Sequence, residues 1–244
     1  MALCTALIEQ LQEFETPLIA EALGALGCPH PDHYYMGSDI KLLCAGALPL
    51  VGVALAVESD TSSPNREPDP DGLRAIMGEV DNSLLPVVVV AKTVGARPLH
   101  ECVIGDGMAK ALQAAGSAGF ITNGGVRDLD RMDRIGYTVY GTGTVANHAT
   151  FAHHLASDPV QMSGISIPTG ALLHADADGV LIIPSEYHCA IVEAAILSRD
   201  FETRAHTYGR RSDKSIDEKR RFVADLDSVR TTKCKALLDR RPDA

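Results

Sequence analysis

GDGMAKALQAAGSAGFITNGGVRD, residues Gly105 to Asp128, opens with an acid set between glycines and closes with a cation beside an acid. An Ala-rich run from Met108 to Ala115 predicts a helix, Gly116 and Gly119 a break, and Gly119 to Thr122 a short apolar strand. Asn123-Gly124-Gly125 can adopt positive φ, which predicts a sharp turn that presents Val126, Arg127 and Asp128 at a strand's C-terminal end. Asp106 precedes the helix, so the free amides of Gly107 and Met108 point outward as a seat for a carboxylate. Arg127 offers a rigid fork to an oxyanion and Asp128 a hard oxygen to a divalent cation. Folded back, the stretch gathers cation, metal ligand and helix start around one small anion.

Outward from that stretch, strand and helix patterns alternate, as in an α/β layer fold. Upstream, Pro86 to Lys92 is a Val-rich buried strand, Gly72 to Val80 is helical, and Leu42 to Val57 suggests one or two short strands. Glu58 to Gly72, ESDTSSPNREPDPDG, reads as a surface loop, with an ordered lid as the alternative. Thr16-Pro17 starts a helix and Gly27 stops it. Downstream, the alternation runs to Ile183, and Ser185 to Arg204 forms an amphipathic helix. Beyond His206 the composition turns charged. Phe222, Leu226 and Val229 keep helical spacing from Ser215 onward, and that tail either packs on a neighbouring subunit or stands in solvent. The expected division is an α/β domain over 1–205 and a helical tail over 206–244.

Composition excludes several classes. The 244 residues are 45% apolar and 22% charged, enough for one sizeable core. A net charge of −10 argues against a nucleic-acid surface. No apolar run approaches a membrane span, and MALCTALIEQ lacks the basic start of a signal peptide, which points to the cytoplasm. Six scattered cysteines without C-x-x-C spacing read as reduced thiols, Cys102 among them as packing. His148, His153, His154 and His174 show no zinc spacing, and His153-His154 read as helix-surface residues.

Asp106 and Arg127 are 127 − 106 = 21 positions apart, so the stretch reads D-x20-R-D. It resembles the signature of the RraA-like family, which includes class II pyruvate aldolases acting on 4-hydroxy-4-methyl-2-oxoglutarate and related acids. TPLIAEALGALG (16–27), LLPVVVVAKTVG (84–95), GYTVYGTGTVANH (136–148) and LLHADADGVLIIPSE (172–186) resemble further family segments, extending the likeness over roughly residues 5 to 205. The resemblance implies one layered β/β/α domain of the swivelling type with a C-terminal helical extension. It also implies a lyase that cleaves a 2-oxo acid through a pyruvate enolate, by retro-aldol cleavage or oxaloacetate decarboxylation, using Mg2+ or Mn2+. Asp128 would carry the metal and Asp106 a metal-bound water. The glycine-flanked amides from Gly105 to Met108 would take the substrate carboxylate, and Arg127 the ketone oxygen. A neighbouring subunit would add an acid, here Glu202 with Asp200 in reserve, within a homotrimer or homohexamer.

Simpler readings stand beside these. Asp128 could cap the segment Leu129 to Ile135, Asp106 could cap its own helix, and Arg127 could bridge surface acids. Asn123 replaces an expected Asp, His100-Glu101-Cys102 replaces expected small residues, and the 58–72 loop is long for the family. Two rival functions follow: a non-catalytic regulatory binding protein, and an enzyme of the same scaffold diverted to a specialised-metabolite acid.

Overall fold

The structure, a computed structural model, describes residues 3–29, 33–47, 49–148, 150, 152–157 and 159–239. In chain order the elements are α1 (Thr5–Leu11), α2 (Thr16–Leu26), β1 (Lys41–Cys44), β2 (Leu50–Asp60), α3 (Pro70–Asp81), β3 (Val87–Thr93), β4 (Cys102–Ile104), α4 (Asp106–Ala114), β5 (Ser117–Thr122) and β6 (Gly125–Val126). There follow α5 (Leu129–Ile135), β7 (Thr138–Gly141), β8 (Gly143–Thr144), β9 (Ala152–Leu155), β10 (Val160–Met162), β11 (Ile165–Ile167), β12 (Leu172–Asp176), β13 (Gly179–Ile183), α6 (Ile191–Gly209) and α7 (Ile216–Leu238). Two compact units result, 33–182 and a second made of 1–32 with 183–244.

The first unit is built on an eight-stranded mixed sheet in the order β1-β7-β5-β3-β2-β12-β13, with β9 also paired to β2. Its centre, β2-β3-β5-β7, is parallel. Period-two alternation assigns the faces. Val87, Val89 and Ala91 of β3 join Leu55, Phe120 and Val139 on one face. Val88 and Val90 join Ala54, Ile121 and Tyr140 on the other. The first face packs on α3, α4, α5 and the small parallel sheet β4-β6-β8, through Ile76, Leu112, Met132, Val103 and Val126. The second packs under the β10–β11 hairpin through Val160, Met162, Ile165 and Ile167. This is the expected layered α/β architecture with helices at its C-terminal end.

The loop expected over 58–72 is shorter than its composition suggested. Strand β2 runs on to Asp60, because Glu58 and Ser59 pair with His154 and His153 of β9. Helix α3 starts at Pro70, capped by Asp69 accepting from the Gly72 amide at 2.9 Å. His153 and His154 therefore lie on a strand, not a helix surface. His153 is buried with Nδ1 2.8 Å from Ser59 Oγ, and His154 pairs with Glu58 at 3.1 Å.

The second unit is helical. Helices α1, α2, α6 and α7 bury Leu7, Leu11, Leu18, Ile19, Ile191 and Leu226, and the small Ala22, Ala194 and Ala195 let α2 and α6 approach closely. Gly27 ends α2 in the left-handed region at φ 84°. Thr16 lies inside the first turn of α2, with Glu15 at the cap position. Helix α6 continues through the change of composition at 206, and α7 opens on a capping box in which Ser215 and Glu218 satisfy each other's amides.

Candidate active site

The three-stranded parallel sheet explains the D-x20-R-D spacing. Strands β4 and β6 run side by side in register Cys102↔Gly125 and Ile104↔Val126. The residues that leave their C-terminal ends, Gly105-Asp106 and Arg127-Asp128, therefore emerge together. The intervening residues are the α4 and β5 excursion that a parallel crossover needs. Strand β8 joins the same edge, and Val145 donates its amide to Val126 O at 3.0 Å.

Glycines make this corner by their lack of bulk. The turn at 123–125 was expected to use positive φ, yet neither Gly124 nor Gly125 adopts it. A Cβ on Gly124 would lie 2.5 Å from Val103 Cγ2, and one on Gly125 2.8 Å from Val145 Cγ2, so close packing is what requires them. Asn123 Oδ1 accepts from the Thr93 amide at 2.8 Å and ties the turn to β3, a role its neutral oxygen fills as a carboxylate would. Left-handed backbone falls instead on Asp128, at φ 62° and ψ 34°.

Asp128 occupies the cap position of α5, but its side chain makes no capping bond among the described residues. Its Oδ2 sits 3.1 Å from Arg127 Nε. That nitrogen is buried without a hydrogen-bond partner among the described residues, so the contact is an ion pair by distance rather than an aligned hydrogen bond. Both groups lie over Gly105, where a Cβ would meet Asp128 Oδ2 at 2.9 Å and Arg127 Nε at 3.1 Å. A cavity of about 560 Å3 opens against Arg127, Asp128, Arg131 and Thr144.

Gly105 is the cap residue of α4, and Asp106 is the first residue of the helix. The Asp106 carboxylate takes a bond from Lys110 Nζ at 2.7 Å and lies 3.9 Å from Arg131 Nη1. Lys110, then Arg131 and the Gly107 amide, hold its pKa below the usual carboxylate range. Lys110 and Arg131 complete this charge cluster. Lys110 was readable as the i,i+4 partner of Asp106, whereas Arg131 arrives from another helix. Gly107 stands open, with no described atom within 4 Å of where its Cβ would be. It lines, with Met108, a second cavity of about 510 Å3.

The structure thus brings together Gly105, Asp106, Arg127 and Asp128, with Gly107 and Met108 in the following helical turn. Glu202 lies on α6 in the helical unit, half-buried. Burial first, and then the charge of Glu21, raise its pKa. Glu101 points elsewhere than a substrate pocket. Fully buried, it accepts from the Thr61 amide at 3.1 Å and Ser62 Oγ at 2.7 Å, anchoring the loop after β2. All six cysteines are free thiols, and burial raises the pKa of Cys102.

The carboxylate at this corner is a hard oxygen donor of the kind a divalent cation takes. Asp128 is uncommitted to capping and faces a cavity, while the described residues contain no group of three His, Cys, Asp or Glu side chains able to enclose an ion.

A mixed α/β scaffold with an acid–arginine–acid corner at the end of a parallel strand pair is the class these features define. The RraA-like family, Aldolase/RraA, matches residues 30–182, and the chain belongs to it. Over 80 residues the chain is 35% identical to the "Putative 4-hydroxy-4-methyl-2-oxoglutarate aldolase" of Halalkalibacterium halodurans, covering 32% of this chain and 36% of that one. A numbered namesake from Arabidopsis thaliana, aldolase 3, is 30% identical over 93 residues, 38% of this chain and 56% of its own. The chain thus spans about a third to a half of those relatives' lengths. Streptomyces coelicolor RraAS2, described as an unusual member of the RNase ES inhibitor RraA family, shares the fold. Its TM-score is 0.65 and its identity 23%, over 82% of this chain and 96% of that one. An uncharacterized protein from Pseudomonas syringae pv. tomato is similar at TM-score 0.67 and 20% identity, over 91% and 96%.

Proposed function

We propose that the chain is a divalent-metal-dependent lyase that cleaves 2-oxo acids through a pyruvate enolate. The observation that carries this reading is the strained, non-capping Asp128 carboxylate set beside a half-buried Arg127 whose buried Nε has no hydrogen-bond partner among the described residues, both over Gly105. In the reaction the C3–C4 bond breaks and its electron pair passes into the enolate of pyruvate, whose C3 then takes a proton. The other fragment leaves as CO2 from oxaloacetate, or as a carbonyl compound once a 4-hydroxyl proton is lost. Arg127 presents its guanidinium to the oxygen on which the negative charge grows, a task of preorganised electrostatics. At the helix start Met108 offers its amide to the substrate carboxylate, beside a Gly107 amide that already faces the Asp106 carboxylate. Asp106, kept ionised by Lys110 and Arg131, orients water at the corner. A divalent cation, Mg2+ or Mn2+, held by Asp128 would add positive charge at the same oxygen.

Glu202 of a neighbouring copy is the added acid in this reading, within a homotrimer or homohexamer, and the free thiols accord with a cytoplasmic protein. The relatives named as aldolases support the reaction class. The test is a pyruvate-coupled assay with oxaloacetate and Mg2+. Turnover should vanish with chelator and in Asp128→Ala; turnover that ignores both removes the mechanism.

A further inference from the structure

The buried acid at 101 and the segment after β2 are fastened to one another. The buried Glu101 carboxylate holds Thr61 and Ser62 at the base of that segment. Gly95 makes room for it, since a Cβ there would fall 1.9 Å from Glu101 Oε1. At the far end, Asp69 bridges to Ala152 of β9 and caps α3. Gly72 is jammed against the same strand, where a Cβ would lie 1.7 Å from His153 O. Both ends of the segment are therefore fastened, and Pro68 to Leu73 form a fixed wall.

That wall encloses the cavity of about 510 Å3 that begins at Gly107 and Met108. Pro68, Pro70, Leu73, Met108 and Ala111 are among its lining, and its surface is predominantly apolar. Among the described residues its lining contains no lysine or arginine. Its polar side chains are Asp69, whose carboxylate already accepts from the Gly72 amide, with His148, Thr150 and His153; burial first and the neighbouring His154 second lower the pKa of His153 to about 4. A second carboxylate placed here would lose water, meet the Asp69 carboxylate and find no lysine or arginine among the described lining residues. A hydrocarbon group would gain from leaving water.

We propose that this cavity holds the apolar part of the substrate, so that the chain takes 2-oxo monocarboxylic acids bearing an aryl or branched-alkyl group in preference to dicarboxylic ones. The inference rests on the 2-oxo acid reading above and deepens it. It departs from the doubly acidic compound in the relatives' names.

The test is calorimetric binding of three probes to the full chain with Mg2+: 2-oxo-4-phenylbutanoate, 2-oxoglutarate and pyruvate. The phenyl compound should bind at least tenfold tighter than either other acid; affinities within twofold overturn the proposal. Ala111→Phe, which fills the cavity from α4, should bring the ratio of phenyl compound to 2-oxoglutarate close to one. Leu73→Arg, which adds a cation to the wall, should reverse it. A wild-type ratio in a folded Ala111→Phe overturns the proposal, and should that variant fail to fold, a wild-type ratio in Leu73→Arg does the same. Exchange of pyruvate methyl hydrogens for deuterium in D2O reads enolate formation alone. Exchange without the phenyl preference removes the cavity assignment and keeps the lyase. Preference without exchange keeps the cavity and removes the lyase.

Discussion

The two cavities near the start of α4 are close in size, about 560 and 510 Å3, and opposite in chemistry. One gathers Arg127, Asp128 and Arg131 at the end of a parallel strand pair. The other is lined by proline, leucine, methionine and alanine with Asp69, Thr150 and two histidines among them, and its surface is mostly apolar. In the proposed reading their difference separates two tasks. Charge that must be stabilised as it forms needs donors fixed in advance, so the first cavity spends backbone strain at Asp128 and crowds its glycines. Selection by shape and dryness needs only a wall that does not move, so the second spends a buried carboxylate and a jammed glycine on anchorage.

The sharpest way to break this contrast is to remove charge from the first cavity. Arg127→Met should lower turnover on oxaloacetate by about 10²–10³-fold, the usual cost of one oxyanion donor. The melting temperature should hardly fall, because the ion pair with Asp128 is partly exposed and worth little. Arg127→Lys should recover only part of the loss, since an ammonium lacks the planar fork. Rates measured beside a melting curve decide it: equal losses of both would make Arg127 structural.

In the second cavity the largest effect should fall on stability. Gly72→Ala would force a methyl carbon to within 1.7 Å of a β9 carbonyl oxygen, a clash with backbone that no rotamer relieves. A loss of about 3 kcal/mol is expected in urea unfolding, at the upper end for overpacking. A neutral result would mean that α3 and β9 are not held together as described. Gly107→Ala, where space is open and the residue lies inside a helix, should leave stability equal or raise it by up to about 1 kcal/mol.

The charged corner was legible because Asp106, Arg127 and Asp128 are chemically distinctive and their spacing is the length of one strand–helix–strand excursion. The Val-rich run of β3 was equally plain, because a strand covered on both faces reads as continuous apolar sequence. The apolar cavity was not legible. Pro68, Leu73, Met108 and Ala111 come from separated segments and look, residue by residue, like ordinary packing. The 58–72 segment misled for a related reason. Its prolines and acids suggest loop throughout, whereas cross-strand pairing at 58–60 and the Asp69 cap override composition at both ends. Gly124 and Gly125 show the limit of reading glycine as freedom, since there it answers to crowding by Val103 and Val145.

Acid should weaken the second cavity's anchorage through His153. Its folded pKa, about 4, lies below the ordinary 6.5, so between those values the unfolded chain binds the extra proton. The contribution is therefore fully present above pH 6.5 and is lost as pH falls toward 4, by about 2 kcal/mol at pH 5. Unfolding free energies of wild type and His153→Asn across that range should converge as the pH drops. Parallel curves would show that the imidazole does not titrate as its burial requires.

The smallest expected change in stability returns to the first cavity and tests why it is strained. Asp128 holds a left-handed backbone that glycine adopts freely, and its carboxylate performs no capping that the fold would miss. Asp128→Gly should relieve that strain, while the added freedom of the unfolded glycine offsets part of the gain. A net rise in stability of no more than about 1 kcal/mol is expected, alongside the complete loss of metal-dependent turnover. Asp128→Asn, which tolerates the same backbone and lacks only the charge, should match wild type in stability and Asp128→Gly in activity. If both substitutions cost more than about 1 kcal/mol, the carboxylate serves the fold, and the strain at the end of β6 was not kept for chemistry.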